Sequence, residues 1–237
     1  MLPMVSCLCS TYGRVRALEE AVHSFLMQDY EGPKELLILN DLADQELIFD
    51  HPDVRIVNSK NRIVPLGAKF NEAARLAKGR IFMVWEDDDI YLPHRISYSV
   101  QHLKNGLFHT GQGYYEQSYR KIIRSNNLFH ANLAISNDVF WSVGGYDHSD
   151  WSGIDTTLFN ALRNKYGEFS CEIPSKDVFY IYRWAAISDY HASYWSQSNA
   201  STMAADYVGG RILRGEIPTG VVQLRPHWSY DYMELLP

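Results

Sequence analysis

Ile81-Phe82-Met83-Val84-Trp85-Glu86-Asp87-Asp88-Asp89 sets five apolar residues directly against four acids. A short run that is apolar throughout reads as a strand covered on both faces, the pattern of a parallel sheet flanked by helices. Ligands of such sheets bind beyond the carboxyl ends of the strands. Four carboxylates gathered there repel one another, and a bound cation removes that cost. Mg²⁺ and Mn²⁺ take carboxylate and phosphate oxygens together, so the run suits a nucleotide diphosphate bridged to protein through a metal. A solvated acidic turn or a helix N-terminus is the competing reading of the same four residues.

The same arrangement of apolar run and polar end recurs outward from this stretch. Met4-Val5-Ser6-Cys7-Leu8-Cys9 leads into Ser10-Thr11-Tyr12-Gly13, and Glu35-Leu36-Leu37-Ile38-Leu39 ends in Asn40-Asp41. Val54-Arg55-Ile56-Val57 reads as a further short strand. Between strands, Arg16 to Tyr30 carries Leu18, Val22, Phe25 and Leu26 at helical spacing. Gly67 to Lys78 carries Ala68, Ala73, Ala74 and Ala77 before Gly79 stops it. Alternating strands and helices predict an α/β fold whose sheet edge collects Thr11, Asp41 and Glu86 to Asp89.

Downstream, a helix is expected from Pro93 to about Leu103, and Gly111 to Glu116 has the pattern of a strand or hairpin segment. Ala131 to Ser136 suggests a strand, Asp138 to Val143 a short helix, Gly144-Gly145 a turn and Asp155 to Lys165 a helix. No repeat, low-complexity tract or linker interrupts the chain. Residues 1–237 therefore read as one domain, with a nucleotide-binding half over 1–105 and an acceptor-side extension over 106–237.

Composition limits the classes of function. The chain has 237 residues, 46% hydrophobic and 21% charged, which suits one α/β domain with a full core. A net charge of −6 argues against a broad nucleic-acid footprint, which would need clustered Lys and Arg. Cys7 and Cys9 alternate within one apolar strand, so they point the same way and read as reduced, buried thiols. No signal-peptide pattern and no apolar run of about 18 residues is present, so the expected location is cytoplasmic, with no transmembrane segment.

Taken in order, Thr11-Tyr12-Gly13-Arg14, Asn40-Asp41, the segment Asn61 to Ala73 and Phe82 to Asp89 with Pro93 resemble the nucleotide-binding half of family 2 glycosyltransferases of the GT-A fold. The resemblance continues through Asn132 to Ser136, Gly144-Gly145-Tyr146-Asp147 and Gly153 to Leu158, covering approximately Val5 to Leu162. It implies a Rossmann-like, mostly parallel sheet and an inverting transferase. That enzyme would move a sugar from a nucleotide-diphosphate donor, a UDP-sugar being favoured, to a carbohydrate or other hydroxyl acceptor with Mn²⁺ or Mg²⁺. Position by position it implies that Thr11, Tyr12 and Arg14 line the nucleotide pocket and that Asp41 accepts a hydrogen bond from the base. Asp87 would sit near the ribose and Lys69 would face the diphosphate. Asp88 is the last acid of the family's Asp-any-Asp metal motif. Glu86 replaces the first acid and lengthens its side chain, which leaves Asp88 the principal ligand.

An inverting transfer needs a base for the attacking hydroxyl. The resemblance places it in Gly153-Ile154-Asp155, making Asp155 the catalytic candidate, although Ile154 replaces a usual acid. Asp147 and Asp150 compete from the same loop, with helix capping the alternative role for all three. His191 stands where some relatives place a further metal ligand, and a hydrogen-bonded core histidine is the other reading. His130 reads either as an acceptor contact or as packing. The aromatic cluster from Tyr180 to Trp195 mostly reads as core, with Trp184 and Trp195 the candidates for stacking on a sugar ring.

Three other classes of function are weighed against this one. A sugar-nucleotide pyrophosphorylase would need a glycine-rich basic loop after the first strand, whereas Ser10-Thr11-Tyr12-Gly13-Arg14 has one glycine. A haloacid-dehalogenase-like phosphatase would need Asp where Glu86 stands. A catalytically inactive nucleotide-sugar-binding protein would tolerate both Glu86 and Ile154.

Overall fold

The structure is a computed structural model that describes residues 1–118, 120–149, 153–183 and 199–237. Strand β1 (Val5–Thr11) is buried along its whole length and leads through Arg14 into helix α1 (Val15–Leu26). Strand β2 (Lys34–Asn40) follows, then β3 (Gln45–Ile48) and β4 (Val54–Asn58). Helix α2 (Leu66–Leu76) precedes β5 (Ile81–Val84), β6 (Ile90–Tyr91) and helix α3 (Arg95–His102). Next come β7 (Leu107–Phe108), β8 (Gln112–Ser118), β9 (Lys121–Asn126), β10 (Ala134–Ser136) and helices α4 (Asn137–Ser142) and α5 (Ile154–Tyr166). The chain closes with β11 (Tyr180–Arg183), α6 (Ala200–Leu213) and β12 (Gly220–Gln223).

The main sheet has the order β4-β2-β1-β5-β10-β7. Its four N-terminal strands are parallel, and β10 runs antiparallel to both β5 and β7. Alternate side chains face opposite sides of a strand, and here both sides are apolar. Cys7, Cys9, Ile38 and Met83 pack with Leu18, Val22 and Phe25 of α1. Leu8, Leu37, Leu39 and Val84 pack with Phe70 and Ala73 of α2 and Leu158 and Leu162 of α5. This two-sided burial explains why these strands read as continuous apolar runs. Cys7 and Cys9 are buried free thiols on the same face, as the alternation requires.

A second sheet has the order β6-β11-β8-β9, and β12 pairs in parallel with β3. The segment Gly111 to Glu116 does become a hairpin, β8 with β9. Within Ala131 to Ser136 only the last three residues form a strand, because Ala131 and Asn132 close a tight helical turn first. Among the described residues no helix is long and apolar enough to cross a membrane.

Candidate active site

Register brings the strand ends together. Thr11 lies beside Asn40 and Leu8 beside Val84, so Asp41 and the acids from Glu86 onward emerge along one edge flanking Thr11. The Lys69 ammonium ties that edge from below. Its Nζ donates to the Thr11 carbonyl and to Asp41 Oδ1, both at 2.6 Å. Burial pushes Lys69 down to about 8 against the pull of Asp41. Lys69 is 2% exposed, so in this structure its ammonium supports Asp41 and does not line the open cleft. Asp41 Oδ1 also accepts from Arg62 Nη1 at 2.6 Å, and Oδ2 accepts from the Ile63 amide at 2.8 Å. The Arg62 guanidinium lies 3.4 Å from the centre of the Tyr12 ring.

The acidic run divides by partner. Arg14, at the entry to α1, donates Nε to Asp87 Oδ2 at 3.1 Å, Nη2 to Asp87 Oδ1, and Nη1 to Asp88 Oδ2 at 2.5 Å. Burial pushes Asp87 up to about 7, with Arg14 pulling it back down. Asp89 turns inward, where Tyr180 Oη donates to Oδ2 at 2.5 Å and the Arg183 amide to Oδ1 at 2.8 Å. Glu86 diverges from the others, its Oε1 lying 3.3 Å from His130 Nδ1, while His130 Nε2 meets Tyr146 Oη at 2.5 Å.

A cleft of about 380 Å³ opens over this edge, lined by Ser10, Arg14, Glu86, Asp88, His130 and Asp155 among others. Asp155 sits in the first turn of α5, partly exposed, with Oδ1 accepting from the Thr156 amide at 2.7 Å. The double-glycine turn before it is held by Asn71, which donates to the Tyr146 carbonyl at 2.9 Å and accepts from the Tyr146 amide at 2.8 Å. Gly145 has φ +74°, and a Cβ there would stand 2.5 Å from Asn71 Oδ1, so both backbone and space call for glycine. Asp147 is exposed and accepts from Ser149 Oγ at 2.6 Å, outside the cleft lining. Asp150, Trp184, His191 and Trp195 lie outside the described residues.

The edge thus brings together Thr11, Tyr12, Arg14, Asp41, Lys69, Asp87 and Asp88, and the cleft joins Arg14 and Asp88 to Asp155. Arg62, Tyr182 and Arg183 also belong here, although the sequence singles none of them out for a role at the acidic run. Arg62 falls within the quoted segment Asn61 to Ala73, and Tyr182 lines the cleft from the aromatic cluster. Among the described residues no three His, Cys, Asp or Glu side chains gather about one point. Asp88 and Glu86 nevertheless present carboxylates to the cleft, and Mg²⁺ or Mn²⁺ commonly takes one or two carboxylates with phosphate and water oxygens. The donor set therefore fits an ion arriving with a diphosphate better than an ion caged by protein alone.

A mostly parallel sheet ending in carboxylates, with a further Asp across a common cleft, is the architecture of GT-A fold glycosyltransferases. The sequence model of glycosyl transferase family 2 matches residues 6–163, and the chain belongs to that family. An uncharacterized glycosyltransferase of Methanocaldococcus jannaschii is 29% identical over 110 residues, 44% of this chain and 38% of that one. A protein of Escherichia coli named as a colanic acid biosynthesis glycosyl transferase, WcaA, is 28% identical over 158 residues, 58% of this chain and 56% of that one. The chain thus spans about two fifths to just over half the length of these relatives. Similar folds include the mannosyltransferase PcManGT from Pyrobaculum calidifontis in complex with GDP-Man and Mn²⁺, at TM-score 0.59 and 17% identity, with 92% of this chain and 66% of that one covered. S. aureus TarS in complex with UDP superposes at TM-score 0.59 and 9% identity, covering 89% of this chain and 65% of that one.

Proposed function

We propose that the chain catalyses inverting transfer of a sugar from a nucleotide-diphosphate donor, a UDP-sugar by preference, to the hydroxyl of a carbohydrate or other acceptor. The observation that supports this reading is that Asp88 and Asp155 line one cleft, which suits one carboxylate serving the donor and the other the acceptor. The GDP-Man bound by PcManGT and the UDP bound by TarS support a nucleotide-diphosphate donor, and the Mn²⁺ of PcManGT supports a divalent ion. Residues 1–105 carry the donor and 106–237 the acceptor within a single domain.

Asp88 would hold the metal, with His191 a candidate second ligand. Bound there, the ion would supply positive charge to a diphosphate leaving group. Asp155 takes the proton of the acceptor hydroxyl as that oxygen attacks the anomeric carbon from the side opposite the leaving group. Arg14 keeps Asp87 and Asp88 fixed at the strand end, with Asp87 toward the ribose. Thr11 and Tyr12 border the base, and Lys69 holds its acceptor, Asp41. A carboxylate offers about four lone-pair sites, and Asp41 already uses three, for Lys69, Arg62 and the Ile63 amide. Asp41 is 1% exposed, so a base would reach it by displacing the partly exposed Arg62 side chain.

The hold of Arg14 on both Asp87 and Asp88 favours one competing reading, a nucleotide-sugar-binding protein without turnover. A panel of UDP-, GDP- and dTDP-sugars with Mn²⁺ separates the two. Slow release of nucleoside diphosphate from one donor supports the transferase. Binding without release supports the alternative, and binding of none contradicts both.

A further inference from the structure

Arg183, the last residue of β11, is 1% exposed and carries its guanidinium into the core behind the acidic run. Its Nε donates to the main-chain carbonyl of Asp88 at 2.6 Å, and its amide donates to Asp89 Oδ1 at 2.8 Å. On the other side, Nη1 lies 3.1 Å from Glu20 Oε2 and donates to Tyr232 Oη at 3.0 Å. Tyr232 itself donates to Glu20 Oε2 at 2.6 Å, and Ser229 Oγ donates to Glu20 Oε1 at 2.9 Å. Glu20, in α1, is 2% exposed and Tyr232 is 1% exposed. Residues 224–235 form a strap over α1, also held by Trp228 Nε1 donating to Ser24 Oγ at 3.0 Å and by the Arg225 amide donating to Glu19 Oε1 at 2.7 Å.

Packing alone does not account for this network. A guanidinium and a carboxylate are costly to strip of water, and apolar residues of similar volume commonly fill such a space at no loss of stability. What the pair supplies is direction. Guanidinium is a rigid planar fork, so anchoring one edge on Glu20 and Tyr232 fixes where Nε meets the Asp88 carbonyl.

We propose that Arg183, Glu20 and Tyr232 are positioning residues of the donor site, through which the strap 224–235 sets the main-chain position of Asp88 and Asp89. The inference rests on the donor-binding role of Asp88 proposed above. None of the three lines the cleft. They act through the backbone of the acidic run, as outer partners of a metal site orient its ligands.

The test compares Tyr232→Phe, which removes the hydroxyl between Glu20 and Arg183, with Leu162→Ala, which opens a cavity in the core on the opposite face of the main sheet, away from Glu20, Arg183 and the strap. Each variant and the wild type are titrated with UDP in Mn²⁺, melted in denaturant, and followed by hydrogen exchange across residues 86–91. Tyr232→Phe should weaken Mn²⁺-dependent UDP binding roughly tenfold and raise exchange across 86–91. Leu162→Ala should leave both as in the wild type even where it lowers stability as much. Arg183→Lys, which keeps the charge and loses the fork, should behave like Tyr232→Phe. Wild-type affinity and exchange in Tyr232→Phe would overturn the proposal, as would losses in both variants that simply follow stability. If the wild type binds no UDP, the donor reading fails separately. The exchange comparison then still decides whether the strap positions the run. Should Tyr232→Phe not fold, Ser229→Ala removes one bond to Glu20 and replaces it in the comparison.

Discussion

Arg14 Nη1 lies 2.5 Å from Asp88 Oδ2, so the proposed metal ligand already faces a cation supplied by the chain itself. The same guanidinium grips Asp87, which is fully buried. Removing one partner of a buried ion pair leaves the other desolvated and uncompensated, at a cost of roughly 3 kcal/mol. Arg14→Ala should therefore lose about that much stability without metal. Mn²⁺ with UDP should restore more to this variant than it adds to the wild type. Denaturant melts with and without Mn²⁺ and UDP measure both effects, and equal responses would count against Arg14 as the stand-in cation.

Asp155→Asn keeps shape and hydrogen bonding at the head of α5 and removes the proposed base. Transfer to acceptor should fall at least about 100-fold, the usual scale of general-base catalysis. Donor affinity should stay within about twofold, because Asp155 lies in α5, away from the strand edge proposed to hold the nucleotide. Steady-state kinetics paired with calorimetric donor titration separates the two quantities. A loss of affinity equal to the loss of rate would move Asp155 from catalysis to binding.

Asp41→Ala leaves the Lys69 ammonium, 2% exposed, with the Thr11 carbonyl as its remaining hydrogen-bond partner among the described residues. The expected cost is about 3 kcal/mol, together with loss of nucleotide binding. The double variant Asp41→Ala with Lys69→Met should recover most of the stability and none of the binding. Denaturant melts and UDP titration of both proteins check this. Recovered binding would show that the base does not depend on Asp41.

His109 supplies a pH test away from the acidic run. It is 1% exposed, with Nδ1 2.7 Å from Ser170 Oγ and Nε2 3.1 Å from the Phe129 carbonyl, and burial pushes its imidazole down to about 4. A histidine with a depressed folded pKa binds its proton more readily when unfolded. Its stabilising contribution is therefore complete above about 6.5 and is lost as pH falls from there toward 4. The loss should reach about 3 kcal/mol, from about 1.36 kcal/mol per pKa unit. His109→Gln should flatten this limb in denaturant melts taken between pH 7 and pH 4, and an unchanged slope would assign it to other groups.

The sheet was readable because β1, β2 and β5 are buried on both faces and their polar ends mark the carboxyl edge. That geometry also let Thr11, Asp41 and the acids be placed together despite their separation in sequence. Strand β3 was not readable, since Gln45-Glu46-Leu47-Ile48 is short and its partner, β12, lies far along the chain. Lys69 illustrates a second limit. A lysine on a helix reads as facing solvent or phosphate, and only the packing of α2 against β1 and β2 shows it bonded to Asp41 and the Thr11 carbonyl. Glu20 carried one local sign, its four-residue spacing to Ser24 on α1 and to Gln28 just beyond the helix, three polar residues that are all buried. Its partners, Arg183, Ser229 and Tyr232, are joined to it only by tertiary structure.

The most direct measurement is calorimetric titration of UDP and UDP-sugars into wild-type protein and Asp88→Ala, each with and without Mn²⁺. Binding should require Mn²⁺ in the wild type and be abolished in Asp88→Ala. Binding that is indifferent to Mn²⁺, or that survives the loss of Asp88, would contradict the proposed metal-holding role of Asp88.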